Sequence, residues 1–152
     1  MFSDAEVVRY LGNRLMTRED GWARLLRQVG HWQIFGFGFW VVRERTSGRH
    51  VGNVGLGFFH REVKPTLGDS PEAGWVLERT AHGQGFATEA ALAAHHWLED
   101  RLGPQRTVCM IDPENAGSIR VATKCGYAEF ARATYKDLPV ILFERFPAAC
   151  RS

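Results

Sequence analysis

Between Trp22 and Val29 the apolar positions fall at 22, 25, 26 and 29, the spacing of one helix face, whereas from Phe35 onward they alternate in steps of two. Thr17-Arg18-Glu19-Asp20 reads as the capped start of a helix running to about Val29, and Ser3 or Asp4 as the cap of a shorter one reaching Leu11. Phe35, Phe37, Phe39 and Val41 set against Gly36, Gly38, Trp40 and Val42 predict a strand over 35–44. Thr46-Ser47-Gly48 then turns the chain back into Val51–Phe59, making a hairpin. Its glycines leave close backbone approach, a bulge or simple twist open. The Pro65–Pro71 stretch is a loop, Glu72–Leu77 a third strand, and Phe86, Ala90, Ala94 and Trp97/Leu98 the stripe of a long helix starting near Gly83. A strand, a helix and two strands complete the order. Helix, helix, three strands, helix, strand, helix and two strands describe an α/β (α+β) fold with much antiparallel pairing.

At 152 residues, 45% apolar and 24% charged, the chain can bury one sizeable core but hardly two, so a single domain over 1–152 is expected. Nineteen basic and seventeen acidic residues, with no run of like charges, give no nucleic-acid or membrane-surface footprint. No apolar stretch approaches the roughly 20 residues that cross a bilayer. Cys109, Cys125 and Cys150 form an odd, widely spaced set and the N-terminus lacks a signal-peptide pattern, so a reduced, cytoplasmic protein is expected.

The chemistry concentrates where the third strand meets the long helix. Gly83 and Gly85 let the main chain approach a ligand, and the first amides of a helix lack intrahelical partners and sit at its positive end, so this junction suits a pyrophosphate. A P-loop fits poorly because Phe86 and Ala87 follow Gly85 where lysine and Ser/Thr are required. The dinucleotide fingerprint fails at Thr88, which stands where a third small residue belongs. His82-Gly83-Gln84-Gly85-Phe86-Ala87 instead resembles the Gln/Arg-x-x-Gly-x-Gly/Ala signature of the GNAT acyl-CoA N-acyltransferases, with His82 at the place usually held by Gln or Arg. Asn115-Ala116-Gly117-Ser118, leading to Gly126-Tyr127, resembles that family's Asn-x-x-Ser helix, and Arg43 to Phe146 as a whole resembles its RimJ/RimL-like branch. Ser3–Leu11 resembles a segment that in this family follows a first strand and helix, so the first strand is expected to be absent and one sheet edge open.

This resemblance implies a GNAT-like mixed, mostly antiparallel sheet flanked by helices and splayed at the CoA site. It also implies an N-acetyltransferase that moves an acetyl group from acetyl-CoA to a primary amine by direct attack in a ternary complex, without a metal. Val76 and Leu77 match positions whose free backbone groups hold pantetheine. His82, Gly83, Gln84, Gly85, Phe86, Ala87 and Thr88 match the pyrophosphate cradle, with Gln84 replacing the more usual Lys or Arg. Asn115 and Ser118 share a helix face toward the arm and the sulfur, although Asn115 also reads as a plain N-cap. Many relatives carry a tyrosine acid seven residues after this asparagine. Ala122 stands there, so Ser118 is the expected donor to the departing sulfur.

Glu72 is the expected base, or the attractor of the acceptor's ammonium, with His60 as runner-up because imidazole titrates near neutrality; each also reads as a strand-end residue. Trp32, Trp40 and Tyr10 belong either to an acceptor pocket or to the core. His95 and His96 lack metal partners at suitable spacing, and no cysteine stands near either motif as a covalent relay. The acceptor is a small-molecule or peptide amine, and the open edge at Phe35–Glu44 suggests a homodimer. A non-catalytic acyl-CoA-binding sensor or accessory domain is the alternative, motivated by Ala122 and the short front end.

Overall fold

Thr17 opens the first long helix as its sequence predicts, with its hydroxyl accepting from the Asp20 amide and the Asp20 carboxylate accepting from the Thr17 amide. The helix then runs past Val29 to Phe35, where Gly36 at φ +72° ends it and donates its N–H to the Trp32 carbonyl. The Phe-Gly-Phe-Gly repeat alternates like a strand, but its first pair is a helix end and a left-handed cap. In the computed structural model, which describes residues 1–148, the helices are α1 (Ala5–Val8), α2 (Arg18–Phe35), α3 (Phe86–Leu102) and α4 (Ala116–Lys124). The strands are β1 (Phe39–Arg43), β2 (His50–Gly57), β3 (Glu72–Leu77), β4 (Thr107–Ile111), β5 (Ala128–Tyr135) and β6 (Leu138–Arg145). Cys150 lies outside the described residues.

The six strands form one sheet in the order β1-β2-β3-β4-β6-β5, antiparallel except between β3 and β4. α3 and α4 cover one face over a core that includes Val51, Leu56, Leu98 and Cys109. A smaller cluster of Val63, Leu67, Val108, Val140 and Leu142 fills in beneath the loop before β3. Of the readings open for the hairpin glycines, close approach holds at Gly52, where a Cβ would lie 2.3 Å from the Val76 carbonyl. A register shift between Val42 and Arg43 places a bulge elsewhere in the same hairpin.

β1 is a sheet edge, but not the apolar template expected of it. Phe35 is helical, Phe37 is buried, and Trp40 packs edge-on to Trp97 at 5.0 Å between centroids. Trp32 joins this aromatic cluster and donates its indole N–H to the Phe39 carbonyl at 3.1 Å, so part of the edge is capped by α2. His31, which sequence reasoning passed over, makes a second clamp. Its Nδ1–H donates to the Phe37 carbonyl at 2.7 Å and its Nε2 accepts the Phe58 amide at 3.0 Å, which fixes the neutral tautomer. By contrast Trp22, Leu25, Leu26 and Val29 are each more than half exposed.

Candidate active site

β3 and β4 are joined by a single ladder pairing, Glu72 with Val108, with the Val108 amide donating to the Pro71 carbonyl at 3.0 Å. Beyond that point the strands part, and a cavity of about 730 Å³ occupies the gap, lined by β3 from Glu72 to Val76, by Cys109–Asp112, and by Asn115 and Ser118 of the α4 start. Strand alternation decides which main-chain groups face it. The Glu78 amide donates to Val51, so continuing the register makes Val76–Asn53 and Gly74–Gly55 the mutually bonded pairs on the β2 side. Trp75 and Leu77 therefore turn their N–H and C=O toward the gap. The Leu77 carbonyl is taken by His82, which leaves the Leu77 N–H. Val76, expected to offer free main-chain groups, has them engaged with Asn53, although the residue lines the cavity. The residue missed was Trp75, and the period of two was the signal that could have found it.

At the far end of β3 a 3-10 turn, Arg79–Ala81, leads into the glycine loop. His82 Nε2–H donates to the Leu77 carbonyl at 3.1 Å and Gln84 Nε2 to the Thr80 carbonyl at 2.7 Å, so both side chains fold the loop on itself. α3 begins at Phe86, three residues later than expected, because Gly85 at φ +82° is its N-cap; no side chain caps it. The amides of Phe86, Ala87 and Thr88 thus lack intrahelical acceptors. Gly83 at φ +73° and Gly85 have no heavy atom within 4 Å of where a Cβ would sit, which leaves an uncluttered cradle of main-chain donors.

Asn115 is the N-cap of α4, its Oδ1 accepting the Ser118 amide at 3.0 Å. That side chain is accordingly committed to the helix start. The Ser118 hydroxyl oxygen accepts the Trp75 indole N–H at 3.2 Å, which leaves the hydroxyl proton free to be donated elsewhere. Ala122 is fully buried in the core.

Glu72 is buried on the cavity wall, and Arg61 holds both its oxygens, Nε to Oε2 at 2.9 Å and Nη2 to Oε1 at 3.0 Å. Arg61 also donates to the Tyr135 hydroxyl at 3.3 Å, which ties β3 to the end of β5. His60 is exposed and lines a separate cavity of about 260 Å³ behind this pair. Tyr10 lines the main cavity, whereas Trp32 and Trp40 belong to the aromatic packing described above. Against the expectation of no cysteine relay near the motifs, β4 carries Cys109 to the cavity wall. Burial and then the charge of Glu72 push its thiol well above the ordinary range, so it stays protonated and is a poor relay nucleophile.

Beneath α3, His95 Nδ1–H donates to the Ala91 carbonyl at 2.6 Å, and its Nε2 lies 2.7 Å from the Tyr127 hydroxyl, which in turn is 3.0 Å from Thr107 Oγ1. Burial holds the His95 imidazole down at about 4. This buried network joins α3, β4 and the end of the Asn-x-x-Ser helix, and gives His95 a structural duty. Among the described residues no group of three or more His, Cys, Asp or Glu side chains is arranged to hold a metal, and no helix is long and apolar enough to cross a membrane.

Comparison with known proteins bears on this geometry. Residues 1–128 match the family model of the acetyltransferase (GNAT) domain. The chain is 29% identical over 152 residues to the uncharacterised protein YkkB of Bacillus subtilis (strain 168), covering 95% of this chain and 81% of that one. A Bordetella pertussis structure described as a GnaT-family acetyltransferase superposes with a TM-score of 0.84 at 28% identity, covering 95% of this chain and 86% of that one. Spermidine N-acetyltransferase of Vibrio cholerae, solved with CoA and spermine, shares the fold with a TM-score of 0.71 at 16% identity over 95% of this chain and 85% of that one.

Proposed function

The chain belongs to the GNAT acetyltransferase family, an acetyl-CoA-dependent group of acyltransferases, and we propose that it transfers the acetyl group to a primary amine by direct attack in a ternary complex. The observation that carries this reading is the splay of β3 from β4 after one pairing, with an uncapped helix start at one end and a free hydroxyl proton on its wall. The residues present suit acetyl-CoA. The amides from Gly83 to Thr88 offer donors to a pyrophosphate, with no cationic side chain in the loop itself. Trp75 offers its N–H and C=O, and Leu77 its N–H, to an amide-bearing arm, and one such N–H polarises a thioester carbonyl. Bound there, acetyl-CoA supplies the activated acyl group.

The remaining duties fall to two side chains. Ser118, oriented by the Trp75 indole, donates a hydrogen bond or proton to the leaving sulfur, replacing the acid that Ala122 cannot provide. Glu72, fixed by Arg61, retains a second lone pair on each oxygen and takes the amine's proton through water. His60 is less well placed, since it opens on the neighbouring cavity. With Cys109 protonated and buried, attack by the amine is direct.

The test is release of free thiol when the protein meets acetyl-CoA and a panel of amines. Amine-dependent release is expected, and Ser118→Ala should lower kcat roughly tenfold with acetyl-CoA affinity unchanged. Binding of acetyl-CoA without release by any amine would support the non-catalytic sensor instead.

A further inference from the structure

The acceptor end of the cavity gathers cations and aromatic rings among apolar residues such as Val8, Leu11 and Met16. On its wall stand Arg14, Arg24, Arg27 and Lys136, with Arg61 deeper, against two acidic side chains, Glu72 and Asp112. Two of these charges are already compensated: Arg14 by Asp20 and Arg61 by Glu72. Arg24, Arg27 and Lys136 have no carboxylate within 4 Å among the described residues, so the lining carries surplus positive charge.

Arg24 is the informative one. The residue is half-buried, its guanidinium is stacked 4.4 Å over the Phe2 ring, and it lines the cavity. Burial, and then repulsion from Arg27, lower its pKa; the guanidinium stays charged, and a bound anion would relieve that repulsion. Arg24 and the exposed Arg27, one helical turn apart on the cavity wall and without carboxylates, are an arrangement that can take a carboxylate or phosphate in fork geometry.

Building on the proposed transferase activity, we infer that the acceptor is a small primary amine that also bears a carboxylate or phosphate, held by Arg24 and Arg27 while its amino group lies toward Glu72. A polyamine or aminoglycoside, which brings several positive charges, would meet like charge there. The anion's position also orients the amine, because a group clamped at the α2 side leaves the other end of a short molecule pointing into the gap between β3 and β4.

Initial rates of thiol release test this with glutamate and an acidic dipeptide as carboxylates, phosphoethanolamine as the phosphate, benzylamine as a neutral amine, and spermidine and kanamycin as polycations. At least one anionic amine should exceed spermidine tenfold or more in kcat/KM, and Arg24→Gln should raise its KM at least tenfold; the better of glutamate and phosphoethanolamine identifies the anion. A preference for polycations, or an unchanged KM in both Arg24→Gln and Arg27→Gln, overturns the inference. A second readout does not need turnover: calorimetric titration of glutamate and phosphoethanolamine into the CoA-saturated protein. Binding that Arg24→Gln weakens tenfold, with no thiol released by any amine of the panel, supports the anion site while sinking the transferase reading; no binding by the wild-type protein sinks the anion site.

Discussion

α3 and α2 are helices of nearly equal length, 17 and 18 residues, yet they do opposite work. α3 buries Ala91, Ala94, His95 and Leu98 against the sheet, and its N-terminus, in the loop beyond the end of β3, has no side-chain cap over its main-chain amides. α2 buries no residue fully, is held at its C-terminal end by His31 and Trp32, and contributes side chains, Arg24 and Arg27, to the acceptor end. On the proposed reading the α3 half recognises its ligand with backbone, which a common cofactor permits, and the α2 half with side chains, which a particular substrate requires. A fold can keep the first unchanged while the second varies, because replacing an exposed α2 residue disturbs no core packing.

Acid titration is expected to strike the α3 half hardest. The His95 imidazole is held at about 4 in the folded state by burial, against an unfolded value of 6.5, so unfolding takes up a proton as pH falls. The stability it contributes is complete above pH 6.5 and is lost progressively between 6.5 and 4. The loss is on the order of 3 kcal/mol, read from urea denaturation at successive pH values. His95→Leu should remove most of that slope; an unchanged slope would mean that other groups carry the acid sensitivity.

Function separates the halves next. Glu72→Gln keeps size and removes charge, so turnover should fall roughly a hundredfold while acetyl-CoA affinity holds. Steady-state kinetics beside calorimetry would show whether kcat and Kd part in this way. Wild-type turnover across the pH range would move the base to water, to His60 or to the acceptor itself.

Gly85→Asp probes the backbone cradle from the other side. No protein atom lies near the added Cβ, so the damage comes from the strain of φ +82° and from a negative charge where pyrophosphate would bind. Acetyl-CoA should bind at least tenfold more weakly, about 1.4 kcal/mol, with turnover at saturation much less affected. Unchanged affinity in a folded variant would place the cofactor elsewhere.

The smallest effect should come from the outer face of α2. Leu25→Ser replaces a side chain that is 51% exposed, and denaturation should report a change within about 0.5 kcal/mol. A larger loss would show that this face is covered in solution, which would sharpen the question of a homodimer.

The sequence by itself determined the order of every helix and strand, the Thr17 cap, the limits of β3 and the two motifs, because spacing, caps and glycine turns are local and need no partner to be read. Tertiary structure alone decided the rest. Whether Trp75 or Val76 offers its main chain to the gap depends on which residue pairs with Asn53, a register set by a strand some twenty positions away. The Arg61 hold on Glu72, the Trp75–Ser118 contact and the uncompensated Arg24 all join residues far apart in the chain, or depend on what fails to approach them. Even the length of α2 turned on Gly36, whose alternation with Phe35 and Phe37 fits a strand until helix packing places it in the left-handed region. Periodicity reports which residues can share a face; only the folded chain decides what that face meets.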